Sequence, residues 1–197
     1  MPFAYPAFLE LSGRRAVVIG AQAVAEGKAA ALATAGAEVT VLENEAWSPA
    51  DLDGAFICVA HSSDAAEREA IALAARERCV LVNVMDDIPN CDFAAPAVVR
   101  RGDLVLAIST GGRSPALARK LRQELEQRFG AEWAELLEVL REVRGETLGL
   151  LPDLPERSRR WNEALDLEEA ATLVASGRRE ELKANLLGRL RGQEVGA

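Results

Sequence analysis

Short apolar runs rich in β-branched residues alternate with longer, helix-like stretches through the first half of the chain. Each run has the length of a strand and lacks polar alternation, which is typical of strands buried on both faces of a parallel sheet. The intervening stretches 24–34 and 64–77 complete βαβ units. The pattern predicts an α/β fold with a parallel, helix-flanked sheet. The predicted strands are Ala16–Ile19, Val39–Leu42, Phe56–Ala60, Val80–Val84 and Leu104–Ile108.

The connection between the second and third predicted strands is short. Only LENEAWSPADLDGA separates Val41 from Phe56. A parallel crossover alone needs about a dozen residues, so an extra strand with its own helix does not fit. We therefore expect a Rossmann-like sheet that is trimmed after its second strand.

The second half of the chain has a helical pattern. Ser114 suits an N-cap and Pro115 the first helical position, and leucines 117, 121 and 125 share one helix face. A second helix carries Trp133 to Val143 and is expected to end near Gly145. After a proline-containing break at 151–156, further amphipathic helices follow. We expect a Rossmann-like domain in the first half of the chain and a helical domain after it.

Composition narrows the classes of function. A net charge of −8 argues against a nucleic-acid-binding surface, and no apolar run approaches the length of a membrane helix. The first residues do not resemble a secretory signal. Three cysteines without CxxC spacing fit a reducing compartment and argue against a zinc site. We expect a cytoplasmic protein with no nucleic-acid or membrane partner and no bound metal.

The turn after the first strand has part of a dinucleotide-binding fingerprint. In G-x-G-x-x-G/A the first glycine permits a tight bend, the second lets the backbone approach the pyrophosphate, and the third allows close packing of helix on strand. Here the three positions are Gly20, Gln22 and Ala25, so a long side chain replaces the second glycine. Ala21 and Val24 complete the candidate cofactor contacts at this turn.

Glu43 ends the second strand, 23 residues after Gly20. An acid at this place binds the ribose hydroxyls of the adenosine in many such folds. The alternative is that Gln22 and Glu43 are solvated loop residues on an inherited scaffold. The fingerprint alone leaves the use of NAD open.

Three motifs between Val82 and Glu126 occur together and in order. They are N-V-x-D after a strand, the hairpin motif D-F-x-x-P-A-x-x-R-R-G, which leads into a predicted hairpin Ala97–Ile108, and A-I-S-T-G-G-x-S-P-x-L-A-R at a strand-to-helix turn. With them the chain closely resembles the bacterial precorrin-2 dehydrogenase/sirohydrochlorin ferrochelatase family, which also forms the N-terminal module of siroheme synthases. The basic, tryptophan-containing RSRRWNEAL (157–165) resembles a segment of the family's helical domain. The resemblance spans nearly the whole chain, with one deletion after Glu43.

The resemblance implies NAD-dependent oxidation of precorrin-2 to sirohydrochlorin, often followed by insertion of iron to give siroheme. It also implies a Rossmann-like NAD-binding domain at 1–95, a small α+β dimerisation segment at 96–129 and a C-terminal helical domain at 130–197. The family forms a homodimer in which the segment near 96–129 exchanges between protomers. The family's essential carboxylate is the aspartate of N-V-x-D, which corresponds to Asp86.

The chemistry agrees with a catalytic role for Asp86. Dehydrogenation and metal insertion both need an acceptor for protons that leave the macrocycle, and the carboxyl edge of an open α/β sheet is where ligands bind. The alternative is a turn cap, and for the neighbouring Asp87 this structural role is the favoured interpretation.

The S-T-G-G-R-S-P turn is a candidate substrate site. Its successive backbone N–H groups and the start of the following helix suit an anion, and the tetrapyrrole substrate carries several carboxylates. Arg100, Arg101 and Arg113 would add positive charge, although a capped turn with solvated arginines explains the same residues. Thr110 corresponds to a hydroxyl residue that lines the family's active site. The candidate contacts are Ser109, Thr110, Gly111, Gly112, Arg113 and Ser114.

His61 is the single histidine and directly follows a predicted strand. In the family this position belongs to a loop beside the cofactor. A histidine here could bind an incoming metal or move protons, but a purely structural role is the alternative. Alternation along the strand places Cys58 and His61 on opposite faces, so they are not expected to form a pair of metal ligands.

The cofactor half departs from the family pattern more than the tetrapyrrole half. Gln22, the His61 loop, the deletion after Glu43 and Gly27 inside a helix are the departures. Three functions remain open: an NAD-dependent dehydrogenase with or without chelatase activity, a chelatase that no longer uses NAD, and a non-catalytic dimeric partner that handles tetrapyrroles.

Overall fold

A computed structural model describes residues 3, 5–149 and 153–192, with the side chain of Gln22 excepted. The chain divides into two compact units. The first comprises Met1–Pro96 with Ser109–Pro115, and the second comprises Ala97–Ile108 with Ala116–Ala197. Residues from the predicted segment 96–129 therefore belong to both units.

The first unit is built on a parallel sheet of four strands. They are β1 (Arg15–Ile19), β2 (Glu38–Leu42), β3 (Ile57–Ala60) and β4 (Leu81–Val84), in the order β2-β1-β3-β4. The register pairs Ile19 with Leu42 and with Ala60, and Ala60 with Val84. The four strands therefore end together at one edge, and the predicted Rossmann-like fold is confirmed.

Two helices complete the βαβ units of this sheet. They are α1 (Gln22–Thr34) and α2 (Ala65–Glu77). Asp64 caps α2 by accepting a hydrogen bond from the Ala66 N–H, and Ile71 and Ala75 of this helix are fully buried in the core. Because α2 is capped and anchored, its first turn has a fixed position at the carboxyl edge of the sheet.

The connection from β2 to β3 is trimmed as predicted. Residues 43–56, all of which the structure describes, contain two short 3₁₀ helices, Asn44–Ala46 and Pro49–Leu52, and no strand. Leu52 is fully buried and anchors this segment in the core.

Two of the predicted strands differ from expectation. Leu104–Ile108 is a strand, β6, but it pairs antiparallel with β5 (Ala97–Arg101) in a separate sheet and is not buried on both faces. A tight turn at Gly102, whose φ is +56°, joins the two strands into a hairpin. β2 lies at the edge of the parallel sheet, so Val41 is 47% exposed.

The second unit adds five helices among its described residues. They are α3 (Pro115–Arg128), α4 (Glu132–Thr147), α5 (Leu154–Ala164), α6 (Leu167–Ala175) and α7 (Arg179–Leu190). Residues from α4, α6 and α7, with Ala164, form a second core.

Two predicted boundaries in this unit are corrected. α4 runs through Gly145 and ends at Thr147, because a single glycine costs a helix only about 1 kcal/mol. Residues 151 and 152 of the predicted break lie outside the described residues, and the rest of it begins α5. Asp153 caps this helix by accepting from the Glu156 N–H, and a proline lies in its first turn. Among the described helices, none is long and apolar enough to cross a membrane.

Candidate functional site

Four candidate residues follow the four parallel strands. Gly20 comes after β1, Glu43 after β2, His61 after β3 and Asp86 after β4. The strand order reverses between β1 and β3, because β2 lies on one side of β1 and β3 on the other. Ligands of open α/β sheets bind at this switch point, outside the carboxyl ends of the strands.

The backbone at Gly20 closely approaches the neighbouring strand end and the loop that follows β3. Its N–H donates to the carbonyl of Leu42 at 2.9 Å. A Cβ at this position would lie 3.3 Å from the carbonyl oxygen of His61 and 3.4 Å from its Cβ, and φ is +155°. A side chain at Gly20 would therefore crowd the loop after β3 and need a backbone conformation that only glycine adopts readily.

The start of α1 is the predicted pyrophosphate site. No side chain that the structure describes caps the helix, and no acid lies in its first turn. Ala25 is buried, as the third fingerprint position requires, whereas Ala21 and Val24 are exposed. Gln22 begins the helix, but the prediction for its side chain lies outside the described residues. Helix N-termini bind anions through free N–H groups and the helix dipole.

Glu43 is exposed directly after β2, next to Asn44. This is the place from which a carboxylate accepts hydrogen bonds from ribose hydroxyls. Gly20, the first turn of α1 and Glu43 are the residues predicted to hold a dinucleotide, with the phosphates at the turn and the ribose at the acid.

Hydrogen bonds to its backbone groups hold His61 in place. Its N–H donates to the Ile19 carbonyl at 2.8 Å, and its carbonyl accepts from Asn44 Nδ2 at 2.8 Å. Cys58 in β3 is fully buried, and burial raises the pKa of its thiol to about 12. This thiol therefore stays protonated at neutral pH, and Cys58 acts as a small apolar residue.

A polar cluster that the sequence did not indicate lies beside these loops. Glu67 of α2 accepts hydrogen bonds from Asn44, Trp47 and Ser62. Glu67, Asn44 and Ser62 also line a cavity of about 630 Å³, together with Asp64. The residues of this cluster belong to no familiar motif. The only clue to them in the sequence is that an unusually short connection contains a tryptophan and an asparagine.

Asp86 presents an available carboxylate. β4 ends at Val84, and Asp86 lies in the turn that follows, with φ at +61°. The residue is exposed, and its side chain makes no hydrogen bond or ion pair within the part of the chain that the structure describes. Aspartate tolerates the left-handed region better than most residues, but its occurrence there marks a special position.

Asp87, in contrast, is engaged inside the protein. Its carboxylate accepts from Asn90 Nδ2 at 3.1 Å and pairs with Arg68 Nε at 2.8 Å. These contacts, that of Asn90 first, lower the pKa of Asp87. The stability they contribute is present above the ordinary pKa of an aspartate and is lost as the pH falls through the lowered value.

The S-T-G-G-R-S turn packs against the turn after β4. A Cβ at Gly112, where φ is +76°, would lie 3.0 Å from Ile88 Cδ1. The turn is also closed internally. Ser109 Oγ accepts from the Gly111 N–H, and Thr110 accepts from the N–H groups of Ser114, at Oγ1, and of Arg113, at its carbonyl. Three of the N–H groups predicted for an anion are therefore engaged within the turn.

The predicted arginines differ in their availability. Arg113 is exposed in the first unit, and Arg100 is exposed on β5 in the second. Arg101 donates from Nε to the Phe129 carbonyl at 2.7 Å and from Nη2 to the Glu126 carbonyl at 3.0 Å. Arg101 thus binds carbonyl groups at the carboxyl end of α3, where a cation is favourable.

Known proteins match both halves of the chain. Residues 7–97 match a family described as putative NAD(P)-binding, and residues 101–128 match the central region of sirohaem biosynthesis proteins. Siroheme synthase 1 of Pectobacterium atrosepticum is 34% identical over 96% of this chain and 43% of its own length. Siroheme synthase 1 of Serratia proteamaculans is 32% identical over 92% of this chain and 42% of its own length. The chain thus spans less than half the length of these relatives.

The fold also matches a solved structure. SirC, a precorrin-2 dehydrogenase, superposes with a TM-score of 0.62 over 95% of this chain and 99% of its own, at 20% identity. The sequence matches, the shared fold and the motifs around Asp86 agree with one another. The chain belongs to the precorrin-2 dehydrogenase/sirohydrochlorin ferrochelatase family, which includes the N-terminal module of siroheme synthase.

Proposed function

We propose that the protein oxidises precorrin-2 to sirohydrochlorin with NAD. The observation that carries this proposal is that Asp86, whose carboxylate has no partner among the described residues, and the glycine turn at Gly20 lie on the same edge of one sheet. The names of the related siroheme synthases and of SirC support the same pathway.

The reaction removes a hydride and a proton from the macrocycle. NAD, when bound, supplies the hydride acceptor. Asp86 accepts the proton, since its carboxylate is exposed and has no partner in the part of the chain that the structure describes. The Gly20 turn and the start of α1 hold the phosphates, Glu43 holds the ribose, and the 109–114 turn with Arg113 lies next to the carboxylates of the substrate.

Insertion of iron into sirohydrochlorin is a second proposed activity of the same site. The metal displaces two pyrrole protons as it enters the ring, and these need an acceptor. The free carboxylate of Asp86 suits this step as well, with iron as a substrate.

We place the protein in the cytoplasm, a reducing compartment, because Cys58, Cys79 and Cys91 are all unpaired.

One preparation distinguishes the three open functions. NAD binding is measured by titration calorimetry, and turnover of precorrin-2 and of sirohydrochlorin with iron is measured in parallel. NAD binding together with oxidation of precorrin-2 supports the dehydrogenase. Siroheme formation without NAD binding identifies a chelatase that has lost NAD. Absence of both activities identifies a non-catalytic tetrapyrrole-handling protein and contradicts the proposal.

Glu43 is expected to select NAD over NADP. Its carboxylate would lie at the ribose, where it repels the extra phosphate of NADP. Glu43→Gln removes this repulsion, so we expect the ratio of NADP to NAD affinity to rise about tenfold, which corresponds to about 1.4 kcal/mol. Calorimetry with both nucleotides measures the ratio. Glu38→Gln, exposed at the opposite end of β2, is the control, and an equal change in both variants would contradict the assignment.

The protein is expected to be a homodimer joined through residues 96–129 and the helices that follow. None of the described residues of α3 is buried, Leu117 is 49% exposed, and Val98 of the hairpin is 38% exposed. Apolar surface of this kind is typical of an interface. Sedimentation should give twice the 21.1 kDa mass of the chain.

A matched pair of variants tests the location of this interface. Leu117→Asp should shift the equilibrium to monomer, whereas Leu73→Asp, at a residue 59% exposed on α2, should leave the dimer intact. A wild-type protein that sediments only as a monomer at micromolar concentration would contradict the dimer.

A further inference from the structure

Two neighbouring residues at the start of α2 contact the loops that follow three of the four parallel strands. We propose that Glu67 and Arg68 are positioning residues for the reaction, Glu67 for the nucleotide side of the site and Arg68 for the turn that carries Asp86. This inference rests on the proposed function for its kinetic consequences. Its structural part stands on the contacts of the two side chains alone.

Glu67 joins the loop after β2 to the loop after β3. Its Oε1 accepts from Trp47 Nε1 at 2.9 Å, and its Oε2 accepts from Asn44 Nδ2 at 3.2 Å and from Ser62 Oγ at 2.5 Å. Ser62 is buried, and its Oγ accepts from the Asp64 N–H at 3.0 Å. The hydroxyl proton of Ser62 is therefore directed at Glu67, and three donors converge on one carboxylate.

The Glu67 carboxylate holds residues of the loops after β2 and β3, which lie on either side of the Gly20 turn. Asn44 directly follows Glu43, and its Nδ2 also donates to the His61 carbonyl at 2.8 Å. The same carbonyl oxygen lies against Gly20. The connection after Glu43 contains two short 3₁₀ helices and no strand, so the bonds to Glu67 hold its first residues in place.

Arg68 joins the loop after β3 to the turn after β4. Its Nη1 donates to the carbonyls of Ser62 at 3.0 Å and Ser63 at 3.1 Å, and its Nε pairs with Asp87 at 2.8 Å. Asp87 follows Asp86 directly. Arginine presents several donors in a rigid planar group, and a lysine cannot reproduce this fork.

The two side chains are placed to position other groups and not to react. Both oxygens of Glu67 are occupied by donors, and the Nε and Nη1 atoms of Arg68 are occupied by acceptors. They stand on a helix that Ile71 and Ala75 anchor in the core. The groups of a functional site are held most accurately when neighbouring side chains on rigid elements fix them by hydrogen bonds.

Glu67→Gln tests the nucleotide side. The amide NH₂ replaces one acceptor oxygen and faces a donor, so at least one hydrogen bond is lost. We expect faster amide hydrogen exchange in 44–47 and 61–64, and a KM for NAD raised about tenfold with kcat nearly unchanged. Glu69→Gln removes the same charge from an exposed position of the same helix and should match the wild type in every measurement.

Arg68→Lys tests the Asp86 side. The charge remains, but one ammonium group cannot hold both Asp87 and the two carbonyls. We expect faster exchange in 85–90 and a kcat lowered about tenfold, with the KM for NAD nearly unchanged. The opposite split of kcat and KM in the two variants separates positioning from a general loss of stability.

Hydrogen exchange keeps the inference testable without NAD. If exchange in 44–47 and 61–64 stays at the wild-type rate in Glu67→Gln, the proposal is overturned, whether or not NAD binds. If exchange rises locally but the wild type binds no NAD, the positioning contacts stand and the proposed function fails. Should Glu67→Gln accelerate exchange throughout the chain, Trp47→Phe decides. It removes one donor and keeps an aromatic ring, and a local rise supports the proposal while no rise overturns it.

Discussion

Asp86→Asn is expected to lower the rate of precorrin-2 oxidation by about 10²- to 10⁴-fold, the usual effect of losing a general base. The amide keeps the size of the carboxylate but does not accept a proton at neutral pH. Asparagine also tolerates the left-handed backbone at φ +61°, so the turn and the fold should be preserved. The measurement is turnover at saturating NAD and substrate, together with thermal unfolding.

Asp86→Gly separates function from backbone strain. Glycine adopts φ +61° without penalty, so this variant should be at least as stable as the wild type and still lose the activity. Full activity in Asp86→Asn, or loss of activity only through unfolding, would make Asp86 a structural residue and place the base elsewhere.

Asp87→Asn provides the comparison at the next residue. It weakens the pair with Arg68 and so disturbs the turn, but it removes no free carboxylate. We expect activity to fall no more than about tenfold, as for a positioning contact, and stability at neutral pH to fall as well. Because the pKa of Asp87 is lowered in the folded state, the difference in stability from the wild type should vanish as the pH falls through that pKa.

The sequence predicted the parallel strands because their burial is encoded locally. β1 and β3 consist almost entirely of buried apolar residues, as their apolar runs indicate. Leu104–Ile108 has the same kind of run but pairs in an antiparallel hairpin. An apolar run of this length does not identify its pairing partner, and the turn at Gly102 was the better guide. The edge position of β2 likewise depends on topology and not on its own sequence.

The candidate site likewise contains some residues that could be predicted from the sequence and others that could not. Gly20, Glu43 and Asp86 could be predicted because each follows a strand within a recognisable motif. Glu67 and Arg68 could not, because charged residues in the first turn of a helix resemble a solvated surface. Their partners Asn44, Trp47 and Asp87 lie about twenty residues away in the chain, and only the folded sheet brings them together.

Gly20→Ala is expected to impair the binding of NAD at least tenfold, equivalent to about 1.4 kcal/mol. The new Cβ would lie 3.3 Å from the His61 carbonyl oxygen and 3.4 Å from the His61 Cβ, at a φ of +155° that alanine rarely adopts. Either the loop after β3 shifts or the turn opens, and opening of the turn displaces the N-terminus of α1. The unfolding free energy should fall by about 1–3 kcal/mol, the usual cost of such strain.

Gly27→Ala is the matched control for this substitution. Gly27 lies inside α1, and a Cβ added there would meet no atom within 4 Å, so alanine adds helix propensity without an obstacle. We expect its stability to rise by about 1 kcal/mol and NAD binding to stay unchanged. Calorimetry and denaturant unfolding on both variants give the comparison. Equal NAD affinity in Gly20→Ala and Gly27→Ala would mean that the nucleotide does not use the turn after β1.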